Sequence, residues 1–400
     1  MSLRVLCRLT NIQRQVCSFS TTTKSNERDT NYDKINSWQI HSYGDLDEVQ
    51  YTRTRPPIIK DPNSVVVKVL AASINPLDVA MINGYGSVLL NFMRQAKKCS
   101  LQKELEFPLT LGRDFAGIVI RTGHSVGDKV KVGDEVWGVV PPHEQGSHAE
   151  EVMVSKNYIE KKPGNISMVE AGSMLYAAIT AWSALKITGD IAVVGVRGRN
   201  VLVLGGSGGV GTMAVQMLRN WGAKVVTTCS EDAIPLLRSL GAHDVFDYRS
   251  PDFHEQIGKR KYDIILDCAG LGQENGAHYC RHLKDYSLSK FITLKSPMLR
   301  NVDDYGLLGG MIKNVGDFLF VNASAGCLPK SSSIRWGFFI PLERALTEIT
   351  KDVEDGKILP CVHKIYSFDD VPNAYKHAAE GHLRGKIVID MSSLKTEKTK

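Results

Sequence analysis

The sequence predicts an α/β fold in which a doubly wound parallel sheet follows a β-rich first domain. Three observations carry this. From Asn200 to Leu294 strand-like and helix-like segments alternate, and the glycine-rich run Val201-Leu-Val-Leu-Gly-Gly-Ser-Gly-Gly-Val-Gly211 joins the first of those strands to a helix. Before it, from Trp38 to Val154, short apolar β-branched runs are cut closely by Gly, Pro and Asp.

Length and composition fit two such domains. At 400 residues the chain exceeds one ordinary core, and 43% apolar with 23% charged residues is the profile of a soluble globular protein. The net charge of +6 is spread along the chain without a basic block, so nucleic acid is not the expected partner. No stretch approaches the ~20 apolar residues that span a bilayer. The cysteines (Cys7, Cys17, Cys99, Cys229, Cys268, Cys280, Cys327 and Cys361) contain no CxxC pair and read as isolated thiols in a reducing compartment.

The first segment reads differently from the rest. No acidic residue precedes Glu27, Arg4, Arg8, Arg14 and Lys24 are basic, and Ser18 to Thr23 is rich in hydroxyls. On a helix Val5, Leu9, Ile12 and Val16 share one face. We therefore expect residues 1–25 to be a mitochondrial transit peptide, cleaved near residues 20–30, with the mature protein in the matrix.

The first domain is expected to be antiparallel or barrel-like, with strands over 64–72, 115–121, 129–140 and 149–154. A long buried helix over 169–185 marks the junction, and 190–199 reads as a surface connector. Strands then fall at 200–204, 224–228, 244–247, 263–267 and 290–294, with helices over 210–221 and 233–240 between them. After Phe339 a helix over 342–354, a short strand at 357–360 and a closing strand at 386–390 suggest that the chain end completes the first domain. The expected division is 36–170 with 340–393 for that domain, 171–339 for the parallel-sheet domain and a disordered tail at 394–400.

The glycine run contains GxGxxG at Gly206, Gly208 and Gly211, directly after a strand and before a helix. A side chain there would hold a pyrophosphate away from the backbone, and the new helix offers free N–H groups and a positive dipole end. Ser207 adds a hydroxyl donor. A dinucleotide site with the Rossmann arrangement follows. An NAD-preferring site carries Asp or Glu at the end of the second strand. Here that strand ends at Thr228-Cys229-Ser230, and a serine hydroxyl can donate to a 2′-phosphate that a carboxylate would repel. NADPH is the expected cofactor, with Glu231 and Asp232 close behind.

Several further runs resemble the medium-chain dehydrogenase/reductase superfamily, and within it the zinc-free quinone oxidoreductase branch. They are Asn75-Pro-Leu-Asp78, Gly112-Arg-Asp-Phe-Ala-Gly117, Val132-Gly-Asp-Glu-Val-Trp137, Thr180-Ala-Trp182, Leu240-Gly-Ala-His-Asp244 and Asp247-Tyr248. The resemblance implies a GroES-like barrel domain beside the Rossmann domain. Zinc relatives carry Gly-His-Glu where Gly112-Arg113-Asp114 stands, and no four closely spaced cysteines offer a structural zinc lobe. No metal is expected.

Carried over by resemblance, Ser207, Gly208, Gly209, Val210 and Gly211 lie at the pyrophosphate. Ser230 and Tyr248 surround the 2′-phosphate and ribose, with Arg249 assisting. Relatives place a lysine shortly after the second strand, where this chain has Ala233, Ile234 and Pro235. Cys268 and Leu294 flank the cofactor, and Gly337, Phe339, His382, Leu383 and Arg384 close on its nicotinamide end. Asn75, Tyr85 and Arg113 are the candidate catalytic residues at the cleft, while Asp78 and Asp114 read as turn and fold stabilisers.

The expected reaction is reduction of a quinone or a similar conjugated carbonyl by NADPH. Two alternatives stand: a 2-enoyl thioester reductase, and an NADPH-binding partner protein with little catalysis. Closer matches at 107–114, Pro141-Pro142 and 381–386 imply a matrix enzyme supporting ubiquinone biosynthesis and the respiratory chain, with outer-membrane association also open. Its implied partners are a reticulon, ubiquinone-biosynthesis proteins and a second copy of itself.

Overall fold

The computed structural model of the chain describes residues 34–98, 106–392 and 394. The expected transit peptide lies outside the described residues, as does the expected tail apart from Leu394. The described residues form one compact unit built on two large sheets.

The parallel sheet is the simpler. Its order is Asp244–Asp247, Lys224–Cys229, Asn200–Leu204, Ile264–Asp267, Lys290–Thr293 and Ser333–Trp336, every neighbouring pair parallel. Val201, Leu202, Val203 and Leu204 are all buried, as a strand covered on both faces requires. The chain starts in the middle, steps outward to Asp244–Asp247, then crosses back to Ile264–Asp267. The crevice of such a sheet opens at that reversal, beyond the carboxyl end of Asn200–Leu204.

The other large sheet runs Val362–Ser367, Lys386–Asp390, Ser64–Ile74, Asp114–Thr122, Glu135–Val139 and Ile159–Lys161, with Glu151–Ser155 also paired to Ser64–Ile74. All its pairings are antiparallel except Val362–Ser367 with Lys386–Asp390. Ile387 lies opposite Ile74 and Asp390 opposite Ala71, so the chain end is a central strand of the sheet that the beginning laid down. That return carries residues 381–386 directly past the glycine loop.

Several elements differ from the sequence reading. The first domain holds two helices, Pro76–Ile82 and Ser87–Lys98, where only strands were expected. The first has a legible start: Asn75 and Asp78 form a reciprocal capping box and Pro76 occupies the first turn. The junction helix is two, Met168–Gly172 and Leu175–Ser183, and Gly172 at the end of the first presses on the Ala71 backbone, where a Cβ would sit 2.9 Å from Ala71 C. The 357–360 segment is not a strand; pairing starts beyond Pro360, at Val362. Met298–Ser324, a long helix broken at Gly306 (φ 72°), and the sixth parallel strand had no expectation at all.

Candidate dinucleotide cleft

The four glycines around the loop do different jobs. A Cβ on Gly206 would lie 2.0 Å from Thr227 Oγ1, and one on Gly211 2.3 Å from the Gly205 carbonyl oxygen. These two let the helix Gly209–Asn220 pack tightly on the sheet. A Cβ on Gly209 would meet Lys386 Cδ at 2.6 Å, so Gly209 makes room for the returning strand. At Gly208 alone nothing lies nearer than Gly205 O at 3.7 Å. Gly208 is the N-cap, and its backbone is the part of the loop left open to a pyrophosphate at the positive end of a helix.

A cleft of about 500 Å³ opens there. Of the expected residues, Ser207, Gly208, Ser230, Tyr248, Cys268, His382, Leu383 and Arg384 line it. Gly209, Val210 and Gly211 form the first turn of the helix behind it. Leu294, Gly337 and Phe339 lie outside that lining: Gly337 packs between Leu294 and Ala184, and Phe339 stacks on Tyr176 with ring centroids 4.4 Å apart. Thr228, Phe253, His254, Leu271 and Tyr279 also line the cleft and were missed. Thr228 is near the end of the second strand, and the other four sit on two separate connections of the parallel sheet, which no local motif ties together. Burial pushes the Cys268 thiol well up, so it stands in the cleft as a neutral group.

The resemblance put Arg384 at the nicotinamide end; the structure shows it beside Ser230, just past the end of the second strand. Its Nη2 donates to Ser230 Oγ at 2.6 Å, and its Nε and Nη2 donate to the Asp232 carboxylate at 3.0 Å each. The backbone explains the reach: Gly381 (φ 76°), His382 (φ 55°) and Gly385 (φ 93°) turn the segment over the loop, and Gly385 N donates to Ser207 O at 2.9 Å. The Arg384 hydrogen bond, then that of Ser230, holds the Asp232 carboxyl down at about 2. The cation missing after the second strand therefore arrives from the far end of the chain.

Below the cleft, charged groups are sealed inside the protein. Lys386 Nζ donates to Asn75 Oδ1 at 2.6 Å and to Ile74 O at 2.8 Å, and Asn75 Nδ2 donates to Asp114 Oδ1 at 3.3 Å. Ser73 Oγ donates to the same Asp114 oxygen at 2.6 Å. Burial pushes Asp114 up and Lys386 down, and each group's charge opposes the other's shift. Asn75, expected at the cleft, is thus buried outside the cleft lining and fixed on both sides of its amide.

Arg113, expected at the cleft, is instead fully buried. Its Nε pairs with Asp78 Oδ1 at 3.3 Å, and its guanidinium donates to the carbonyls of Thr110, Pro141, Pro142 and Glu144. Asp78 also accepts from Asn75 N and Gly112 N. Tyr85 stands half-buried, with burial and then Asp303 raising its hydroxyl. Asp303, on the long helix, accepts from Gly86 N at 2.7 Å and Val88 N at 3.0 Å, so it clasps the start of Ser87–Lys98.

The alcohol dehydrogenase GroES-like domain matches residues 61–187, and the zinc-binding dehydrogenase domain matches 240–389. The mitochondrial NAD(P)H oxidoreductase RTN4IP1 of Drosophila melanogaster is 41% identical over 90% of this chain and 87% of its own length. The chain belongs to the RTN4IP1 family of mitochondrial NAD(P)H oxidoreductases. The human member is 41% identical over 89% of each chain. The family lies in the medium-chain dehydrogenase/reductase superfamily, and its fold recurs in the quinone oxidoreductase of Coxiella burnetii (TM-score 0.71, 25% identical, 90% of this chain and 99% of that one). The CurK enoyl reductase shares the fold at a TM-score of 0.69, with 22% identity over 90% of this chain and all of that one. RTN4IP1-family membership makes this an oxidoreductase using a nicotinamide cofactor. Although one matching domain is described as zinc-binding, no group of three or more His, Cys, Asp or Glu side chains is gathered to hold a metal among the described residues.

Proposed function

We propose that this chain is an NADPH-dependent, zinc-independent reductase of a quinone or a similar conjugated carbonyl. The observation that carries the cofactor choice is the Ser230–Arg384 pair at the end of the second strand. A hydroxyl and a guanidinium 2.6 Å apart form a donor set for a 2′-phosphate, and the fork of arginine suits phosphate oxygens. The open backbone of Gly208 and the helix N-terminus fit the pyrophosphate.

The bound nicotinamide supplies the hydride; the chain binds, orients and excludes water. Ser230 and Arg384 hold the adenosine end, with Tyr248 beside them in the cleft wall. Asn75, buried and with its carboxamide pinned by Lys386 and Asp114, acts in this reading by fixing the turn that starts the helix Pro76–Ile82. Tyr85, whose hydroxyl stays protonated at neutral pH, is the donor to an acceptor carbonyl in this reading. Arg113 acts through Asp78 and the Asn75 turn and is a positioning residue.

The acceptor is tested by steady-state oxidation of NADPH against a panel of quinones, enals and enoyl thioesters. Turnover on quinones at least tenfold above the others supports the reading. Preference for enoyl thioesters, or no turnover with any acceptor, overturns it. The same reading places the enzyme in the matrix after removal of residues 1–25, in support of ubiquinone biosynthesis. It also gives the enzyme a reticulon partner, a role named in the Caenorhabditis elegans relative, and a homodimeric state.

A further inference from the structure

The long helix is inside out. Beyond its break at Gly306, it buries Gly310, Asn314, Val321 and Asn322 against the protein, with Asn301 of the preceding segment beside them. Asn301 Nδ2 donates to Asn314 Oδ1 at 2.8 Å, and Asn314 Nδ2 donates to Met298 O at 3.1 Å. The apolar face looks outward. Leu308, Met311, Ile312, Val315 and Leu319 follow helical spacing along one side, with Phe320 at its shoulder. Leu308 is 79% exposed, Ile312 74% and Phe320 73%. A helix folded to serve one isolated chain in water places these two faces the other way round.

We propose that this apolar face is the surface on which a second copy of the chain docks. The inference rests on the homodimeric reading above and gives it a location. Three observations choose a second copy over other occupants. First, area: the six side chains together leave roughly 800 Å² exposed, which is about what each partner brings to a standard interface, whereas the largest patch on an ordinary monomer is about 300–600 Å². Second, charge: Arg300 and Lys313 on this helix are outnumbered by Asp303, Asp304 and Asp317, the reverse of the basic flank that holds a helix on an anionic bilayer.

Third, the neighbouring route to self-association is closed. Ser333–Trp336 is the edge strand of the parallel sheet, and an open edge invites another strand. Asn322 blocks it: its Oδ1 accepts from Ile334 N at 2.7 Å and its Nδ2 donates to Ile334 O at 3.1 Å. One side-chain amide stands where the next strand's backbone would be. Association at this side of the molecule is thereby directed from the sheet edge to the helix face beside it.

The test is sedimentation velocity of the full chain with NADPH at micromolar concentrations, beside Val315→Lys and Leu308→Lys. Both positions are solvent-facing in the single chain, so circular dichroism and the melting temperature are expected to match the parent. The parent is expected as a dimer, and each variant as a monomer with a dissociation constant raised at least tenfold. A monomeric parent overturns both the surface and the homodimeric reading. A dimeric parent whose variants stay dimeric overturns the surface alone. Flotation of a monomeric parent with anionic vesicles assigns the face to a bilayer and also overturns the proposal.

Discussion

Arg384 Nη2 donates to Ser230 Oγ at 2.6 Å, joining two residues 154 positions apart in the chain. Neither makes a phosphate site alone. Ser230 ends the second strand of the parallel sheet, and Arg384 is delivered by the segment that precedes the closing strand of the other sheet. The cleft is therefore completed by residues 382–384, just before the strand Lys386–Asp390, and in the NADPH reading proposed above cofactor choice depends on that segment's path. Hydrogen bonds to a charged group are worth about 1.5–3 kcal/mol each. Arg384→Met is accordingly expected to lower the ratio of kcat/KM for NADPH over NADH by roughly 10- to 100-fold. Initial rates with both cofactors check this; an unchanged ratio removes Arg384 from the site.

Asp232 competes for the same guanidinium. Its carboxylate takes two hydrogen bonds from Arg384 and one from Ser230 at 2.5 Å. Asp232→Asn removes the competing charge, so the NADPH dissociation constant is expected to fall several-fold while that for NADH changes little. The Arg384 bond holds Asp232 at about 2, below the ordinary carboxylate value, so it stays ionised across pH 5–9. The gain from Asp232→Asn should thus be flat over that range, as read by fluorescence titration. For stability the sign is that of a depressed acid: the contribution is present above about pH 4 and lost as pH falls towards 2. The melting difference between parent and variant should close over that interval.

How much of this was legible in the sequence depends on whether the cause was local. Asn200–Leu204 was placed to the residue because a parallel strand buried on both faces writes itself as a continuous apolar run, and Asp244–Asp247, an edge strand with only Val245 buried, was placed by its position between helix and turn. Gly208 and its helix were legible from an equally local signal, the GxGxxG spacing directly after Asn200–Leu204. Arg384 was not. Its partner is fixed by the tertiary path of Gly381 to Gly385, and a single arginine near a chain end carries no spacing signal. Met298–Ser324 escaped because its apolar residues mark the face that the single chain leaves exposed and its asparagines the face it buries. Helix Pro76–Ile82 could have been found, since Asn75 and Asp78 spell a capping box around Pro76.

The loop glycines separate folding from binding. Gly208 faces open space, so Gly208→Ala is expected to leave stability within about 0.5 kcal/mol of the parent and to weaken dinucleotide binding tenfold or more, by pushing the pyrophosphate off the backbone. Gly209→Ala places a methyl 2.6 Å from Lys386 Cδ. Lys386 must then shift, and Asn75 loses the ammonium that pins its carbonyl. For this variant the expected loss is in melting temperature and kcat together. Thermal melts without cofactor, read beside NADPH titrations, distinguish the two; equal melting losses would show that both glycines serve packing.

Arg113 and Asp78 form an ion pair with no exposed side-chain surface on either partner. Removing one charge from such a pair strands the other in a low-dielectric interior, at a cost of about 3–5 kcal/mol. Arg113→Met is expected to fall in that range by urea unfolding, and Asp78→Asn to cost less, because its amide oxygen can still accept from Gly112 N. Activity separates a positioning role from a catalytic one. Arg113 reaches the reacting end only through Asp78, which caps the helix that Asn75 begins. The folded fraction of Arg113→Met should therefore keep its pH profile and lose kcat in proportion to disorder at Asn75. Arg113→Lys, which restores the charge but not the fork to four carbonyls, should recover part of the stability. A pH–rate profile displaced by Arg113→Met would instead mean that the guanidinium acts on the reaction directly.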